Sequence, residues 1–169
     1  MQFTEDSKTK IKLTGMRARK KSLEIRDYDI LDKKNLEDEE GNKIFVLHTM
    51  LSELKPKEYK DMKSGPKSML PKGFLYYAGG HLHKTIPEQL REESNIYTIS
   101  NDSELNKKVI YPGSIYPTNF LELEQFQYGG FCIVSGGMTD GDLHVKYIPL
   151  KIKEIVSLFF DAKNKSAVN

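Results

Sequence analysis

The residues best suited to chemistry stand together in Gly79-Gly80-His81-Leu82-His83-Lys84, directly after the run Phe74-Leu75-Tyr76-Tyr77-Ala78. Two imidazoles separated by one residue point the same way in an extended segment, so His81 and His83 can serve one point in space while Leu82 faces away. Imidazole nitrogens are common ligands of divalent transition metals. The two glycines are expected to end the strand in a turn and to let the backbone approach a ligand closely. A bare His-x-His also occurs as a pair of surface histidines, so it points to a metal only in company. Lys43-Ile44-Phe45-Val46-Leu47-His48 provides that company: four apolar residues in a row predict a fully buried, parallel strand with a histidine at its C-terminal end. In open α/β sheets, sites lie outside the carboxyl ends of the strands.

Other elements must position these residues. Ile11 to Gly15 alternates as a strand, and 22–42 predicts a helix whose inner face carries Ile30, Leu31 and Leu36. Thr49 is placed to cap a short helix carrying Leu51 and Leu54. Residues 55–72, with Pro56, Pro66 and Pro71 among many lysines, read as a surface loop. Ile96 to Ile99 fits an edge strand. Val109-Ile110-Tyr111 leads into Pro112-Gly113-Ser114, a turn whose free amides would suit an anion. Gly129 to Val134 and Leu143 to Ile148 read as an antiparallel hairpin around a turn at 136–142. Leu143, Val145 and Tyr147 form its apolar phase, and His144 lies on the wet one. Ile152 to Phe160 is apolar enough for a strand or a helix.

The chain has 169 residues, 38% hydrophobic and 30% charged, a soluble balance that suits one domain. No run of about 18 apolar residues is present to span a membrane, and the polar start Met1-Gln2-Phe3-Thr4 is no signal peptide. The single cysteine, Cys132, sits in an apolar run and is expected to be a small buried hydrophobe, which leaves no internal disulfide. The net charge of +2 neither favours nor excludes nucleic acid. Arg17, Arg19, Lys20 and Lys21 form a basic cluster, readable as a solvated loop or as a surface for a phosphate backbone.

The order of these features is informative: a strand ending in His48, a strand running into Gly80-His81-Leu82-His83, then Val109-Ile110-Tyr111-Pro112-Gly113-Ser114. Leu70-Pro71-Lys72-Gly73-Phe74 ahead of the histidines, Lys84 after them, the Glu122 region and the Gly129-Gly130-Phe131 strand extend it. Together they resemble the second half of a calcineurin-like metallophosphoesterase, most nearly the DNA double-strand-break repair nucleases of the SbcD and Mre (meiotic recombination) type. The likeness covers roughly residues 11 to 160.

That resemblance implies a C-terminal half of a two-sheet α/β sandwich, with a mixed sheet and a C-terminal antiparallel hairpin. Residues 1–150 would form that half, and 151–169 a final strand and tail leading toward a capping domain. It implies a manganese-dependent, two-metal phosphodiesterase in which His48 and His81 ligate one ion and His83 the other. It also implies DNA and an ABC-type coiled-coil ATPase as partners, a homodimer, and a cytoplasmic or nuclear location without a membrane. The family's Asp-x-His, Gly-Asp-x-x-Asp and Gly-Asn-His motifs have no counterpart here, and no histidine precedes His48. The bridging carboxylate, the amide ligand and the acid histidine would therefore come from a missing N-terminal half, and no catalytic residue is assigned. A truncation, one half of a split enzyme and a degenerate, non-catalytic interaction or assembly module all fit this pattern. Half a domain would expose the apolar surface that its other half covers, giving a sticky chain or a dimer.

Overall fold

A computed structural model describes residues 1–92, 95–136, 141–161 and 163. The chain is α/β. One sheet has the strand order β1 (Thr4–Glu5), β2 (Lys12–Met16), β3 (Lys43–His48), β4 (Tyr76–Gly80), β6 (Val109–Ile110). From β2 onward its pairs are parallel, and β1 runs antiparallel at the edge. The second sheet is antiparallel, in the order β5 (Ile96–Ile99), β8 (Leu143–Leu150), β7 (Gly129–Gly136). The short helices α1 (Glu24–Asp27), α2 (Lys33–Glu37), α3 (Leu105–Lys108) and α4 (Phe120–Phe126) lie in the connections.

Alternation along the parallel strands builds two apolar layers. Phe45 and Leu47 of β3, Tyr77 of β4 and Val109 of β6 face one layer with Tyr28, Leu36, Met50, Leu51, Leu70, Phe74, Leu82 and Tyr111. Tyr76 and Ile110 face the other, where Ile99, Leu143, Val145 and Tyr147 of the antiparallel sheet meet them. The expected hairpin and its apolar phase are present: Leu143, Val145 and Tyr147 are buried. His144 lies on the opposite face of β8 and is hydrogen-bonded with Thr98. Cys132 is half-buried against the second layer, and burial pushes its thiol up to about 11.

Several expectations are corrected. β3 is not buried on both faces, because Val46 is 46% exposed. The layer between the sheets reaches Ile44 and Ala78 but not Val46 or Leu13, and among the described residues these two apolar side chains stay 46% and 40% exposed. The helix expected within 22–42 is two short ones. Ile30 is 85% exposed, and Tyr28 takes the core place, joined by Ile25, Leu31 and Leu36. Asp32 breaks the helical run by capping α2, its carboxylate accepting from the Asn35 amide at 3.3 Å. Thr49 caps nothing: the helical turn is Ser52–Leu54, and Thr49 is buried. β8 ends at Leu150, and the described residues after it form neither strand nor helix; Ile152, Val156 and Phe159 are largely exposed. Most of the turn expected over 136–142 lies outside the described residues.

Candidate functional site

β3 and β4 bring the first two histidines together. In their parallel register His48 stands beside Gly80, so the imidazole at the end of β3 lies level with the chain entering His81. The glycines are the last two residues of the strand, but they do not themselves form the expected turn. Each leaves room for a ring. A Cβ on Gly79 would sit 2.6 Å from the Tyr111 ring, and one on Gly80 would sit 2.8 Å from His48 Nδ1. The Tyr111 hydroxyl then donates to the Thr49 carbonyl at 2.8 Å, tying the residue after His48 to the end of β6.

The turn comes one residue later, at His81, whose φ is +90°. A non-glycine residue held there costs on the order of 1–3 kcal/mol. The next residues offset it. Leu82 is buried in the first core layer, and the His83 carbonyl accepts from the Ser114 amide at 3.1 Å. The extended geometry expected for His81-Leu82-His83 therefore fails at its first residue, and His81 turns beside His48 instead. Their ring centroids are 5.4 Å apart at 71°. Burial lowers the His81 pKa, the neighbouring His48 and His83 lower it further, and only Glu24 opposes. This direction favours the neutral imidazole, the form that binds metals.

His48 is exposed, not turned into a core. His83 is also exposed, and its Nδ1 is 2.7 Å from Glu122 Oε1 at the start of α4. Burial pushes the Glu122 carboxyl up, but hydrogen bonds from the Thr118 amide, His83 and the Thr118 hydroxyl outweigh it and hold it at about 2. Lys84 lies between Glu58 and Glu88, at 2.6 and 2.7 Å. Burial alone would lower its pKa, and the two carboxylates raise it.

The Pro112-Gly113-Ser114 turn is not an open anion cradle, because the Ser114 amide is spent on the His83 carbonyl. It is a buttress for the histidine loop. A Cβ on Gly113, whose φ is +86°, would meet the His83 oxygen at 2.7 Å.

Two residues of this neighbourhood carry roles that sequence patterns did not assign. Glu122 was legible as the third residue of a capping box opened by Asn119, whose side chain does accept from the Glu122 amide at 2.9 Å. Its own side chain reaches Thr118 and His83 instead of capping alone. Glu24 is 2% exposed, accepts from the Arg19 amide at 3.0 Å and acts electrostatically on His81. A lone Glu in a charged run carries no such signal.

The Arg19 amide donates to Glu24 at 3.0 Å, which ties the basic loop to the carboxylate that acts on His81. Arg17, Arg19, Lys20 and Lys21 are all exposed. Arg19 is committed to Asp27 at 2.6 Å, and Lys63 donates to the Lys21 carbonyl at 3.4 Å, bringing the 55–72 loop alongside.

Imidazoles are donors that divalent transition metals accept. His48 and His81 are adjacent imidazoles, and His83 keeps its Nε2 for a ligand while Nδ1 is held by Glu122. Among the described residues no group of three His, Cys, Asp or Glu side chains is gathered tightly enough to hold an ion alone. A complete shell would need carboxylates from elsewhere. No known protein-family model matches the chain. Among the described residues no helix is long and apolar enough to cross a membrane.

Proposed function

We propose that this chain supplies the imidazole side of a manganese-dependent, two-metal phosphodiesterase centre, as part of a DNA-repair nuclease of the SbcD and Mre type. The observation that carries this reading is the His48–His81 pair. The two rings stand 5.4 Å apart at the carboxyl ends of neighbouring parallel strands, with glycine under one and a left-handed backbone under the other.

In this reading His48 and His81 hold one cation and His83 the other. Two bound cations clamp a scissile phosphate and lower the pKa of the water that attacks it. The chain's own part is to keep His81 neutral, to fix the three rings on a rigid sheet end, and to present Arg17, Lys20 and Lys21 to the flanking phosphates. The bridging carboxylate, the amide ligand and the acid histidine come from a complementary N-terminal half. Leu13 and Val46, apolar and 40% and 46% exposed on the part of the sheet that the second core layer does not reach, suit that half as a docking face. The coiled-coil ATPase, a homodimer and a cytoplasmic or nuclear location follow from the same family reading. The exposed sheet face also favours a second reading, a non-catalytic assembly module that uses this face while its histidines play no part.

The test is manganese-dependent hydrolysis of a simple phosphodiester. The chain would be assayed alone, and mixed with the N-terminal half of a nuclease of this type, each with a His81→Ala control. Activity only in the mixture, abolished by His81→Ala, is the expected result. A stable mixed complex that stays inert, or activity indifferent to His81→Ala, would overturn the enzymatic reading and leave the assembly module.

A further inference from the structure

Both ends of His83 are held by one segment, the connection from β6 into α4. Its backbone oxygen is gripped by the Gly113-Ser114 turn, and its ring by Glu122. The Glu122 carboxylate is itself fully engaged. Oε1 lies 2.7 Å from His83 Nδ1, and Oε2 accepts from the Thr118 amide and from its hydroxyl, each at 2.8 Å. The Glu122 amide is tied to Asn119 Oδ1, which fixes the start of the helix. The carboxylate is only 14% exposed, against 45% for the His83 side chain.

We propose that Glu122 is a positioning residue for His83. Its carboxylate accepts a hydrogen bond from Nδ1–H and so fixes the ring in the tautomer whose Nε2 is bare and able to bind a cation. An ionised carboxylate can only accept, so the proton of this contact belongs to the imidazole. A neutral imidazole carries one N–H, and placing it on Nδ1 leaves the lone pair on Nε2. Carboxylates that orient a histidine in this way set the tautomer and raise the basicity of a metal ligand. Thr118 and Asn119 keep the carboxylate from rotating away. The grip on the His83 carbonyl keeps the ring from leaving with its loop. The tautomer stands on the geometry alone; its use toward a cation rests on the nuclease reading above.

The experiment is long-range proton–nitrogen correlation of the imidazoles in the full chain, somewhat above neutral pH, without metal and then with Mn2+ added. Wild-type His83 is expected to show a protonated Nδ1 and a bare Nε2. Glu122→Ala is expected to lose that preference, while Glu122→Gln, which keeps an acceptor oxygen, retains it. A dispersed amide spectrum for both variants confirms folding. Mn2+ is expected to broaden the His83 resonances, with an apparent Kd raised roughly 10- to 100-fold in Glu122→Ala. A wild-type His83 protonated on Nε2, or a tautomer unchanged in Glu122→Ala, overturns the proposal. The expected tautomer with no broadening of His83 by Mn2+ overturns the nuclease reading and leaves the positioning role standing.

Discussion

His48 Nδ1 lies 2.8 Å from the point where a Cβ on Gly80 would stand, so the imidazole occupies space that only glycine leaves open. Its neighbour Gly79 leaves the same kind of space to the Tyr111 ring at 2.6 Å, on the core side of the strand. The two glycines therefore predict different defects. Gly79→Ala presses on a buried ring and should cost about 1–3 kcal/mol in urea unfolding. Gly80→Ala presses on an exposed imidazole that can swing aside. It should leave the urea midpoint nearly unchanged while lowering Mn2+ affinity in a paramagnetic titration. Equal losses of stability in both variants would show that the His48 ring is part of the packing and not of a site.

Acid should weaken the fold in two separate windows. Burial and the neighbouring histidines hold His81 below its ordinary value of 6.5, so the unfolded chain binds that proton more readily. Stability from this group is full above about 6.5 and is lost as pH falls below it. Glu122 is held at about 2 against an ordinary 4.5. Its contribution is present above 4.5 and lost as pH falls from there toward 2. Proton NMR titration should place His81 below the unfolded value, and His48→Ala should move it back only in part, because burial is the larger cause. A His81 titrating at or above 6.5 would contradict this environment.

The two faces of β3 should respond oppositely to substitution. Phe45→Ala empties a fully buried site and should cost about 3–5 kcal/mol by urea denaturation. Val46→Lys lies on the uncovered face and should change stability by no more than about 0.5 kcal/mol. It should, however, reduce self-association in sedimentation velocity and weaken binding of the complementary half. A large loss of stability in Val46→Lys would mean that this face is covered within the chain itself.

On the proposed nuclease reading, replacing Arg17, Lys20 and Lys21 with Ala should weaken DNA binding by the two halves together at every sequence alike. It should flatten the dependence of log affinity on log salt by roughly one for each phosphate left without its cation. Arg19→Ala alone should do less to binding, because its guanidinium is already held by Asp27. Filter binding across a salt series reads both effects, and an unchanged slope in the triple variant would rule the loop out as a phosphate surface.

The strands were legible because their signal is local. Ile44 to His48, Tyr76 to Ala78, Val109-Ile110 and the pair Gly129 to Val134 with Leu143 to Ile148 carry their apolar patterning within a few residues, and all of them form strands. The charged segment 22–42 was less legible. Whether Ile30 or Tyr28 enters the core depends on what packs above it, and the core selected Tyr28. The tail after Leu150 has strand-like composition, but its described residues pair with no strand, because composition alone does not supply a partner edge.

By itself the sequence determined which residues can do chemistry, His48, His81 and His83, and which strands end at them. Only the tertiary structure decided how they are arranged. The meeting of His48 with His81 depends on parallel register between β3 and β4 and on a left-handed backbone at His81. The partner of His83 lies 39 residues further along the chain. The physical reason is that periodicity and turn chemistry act over a few bonds. Ring packing on a bare glycine and a carboxylate shared between two loops exist only after the sheet has brought distant segments together.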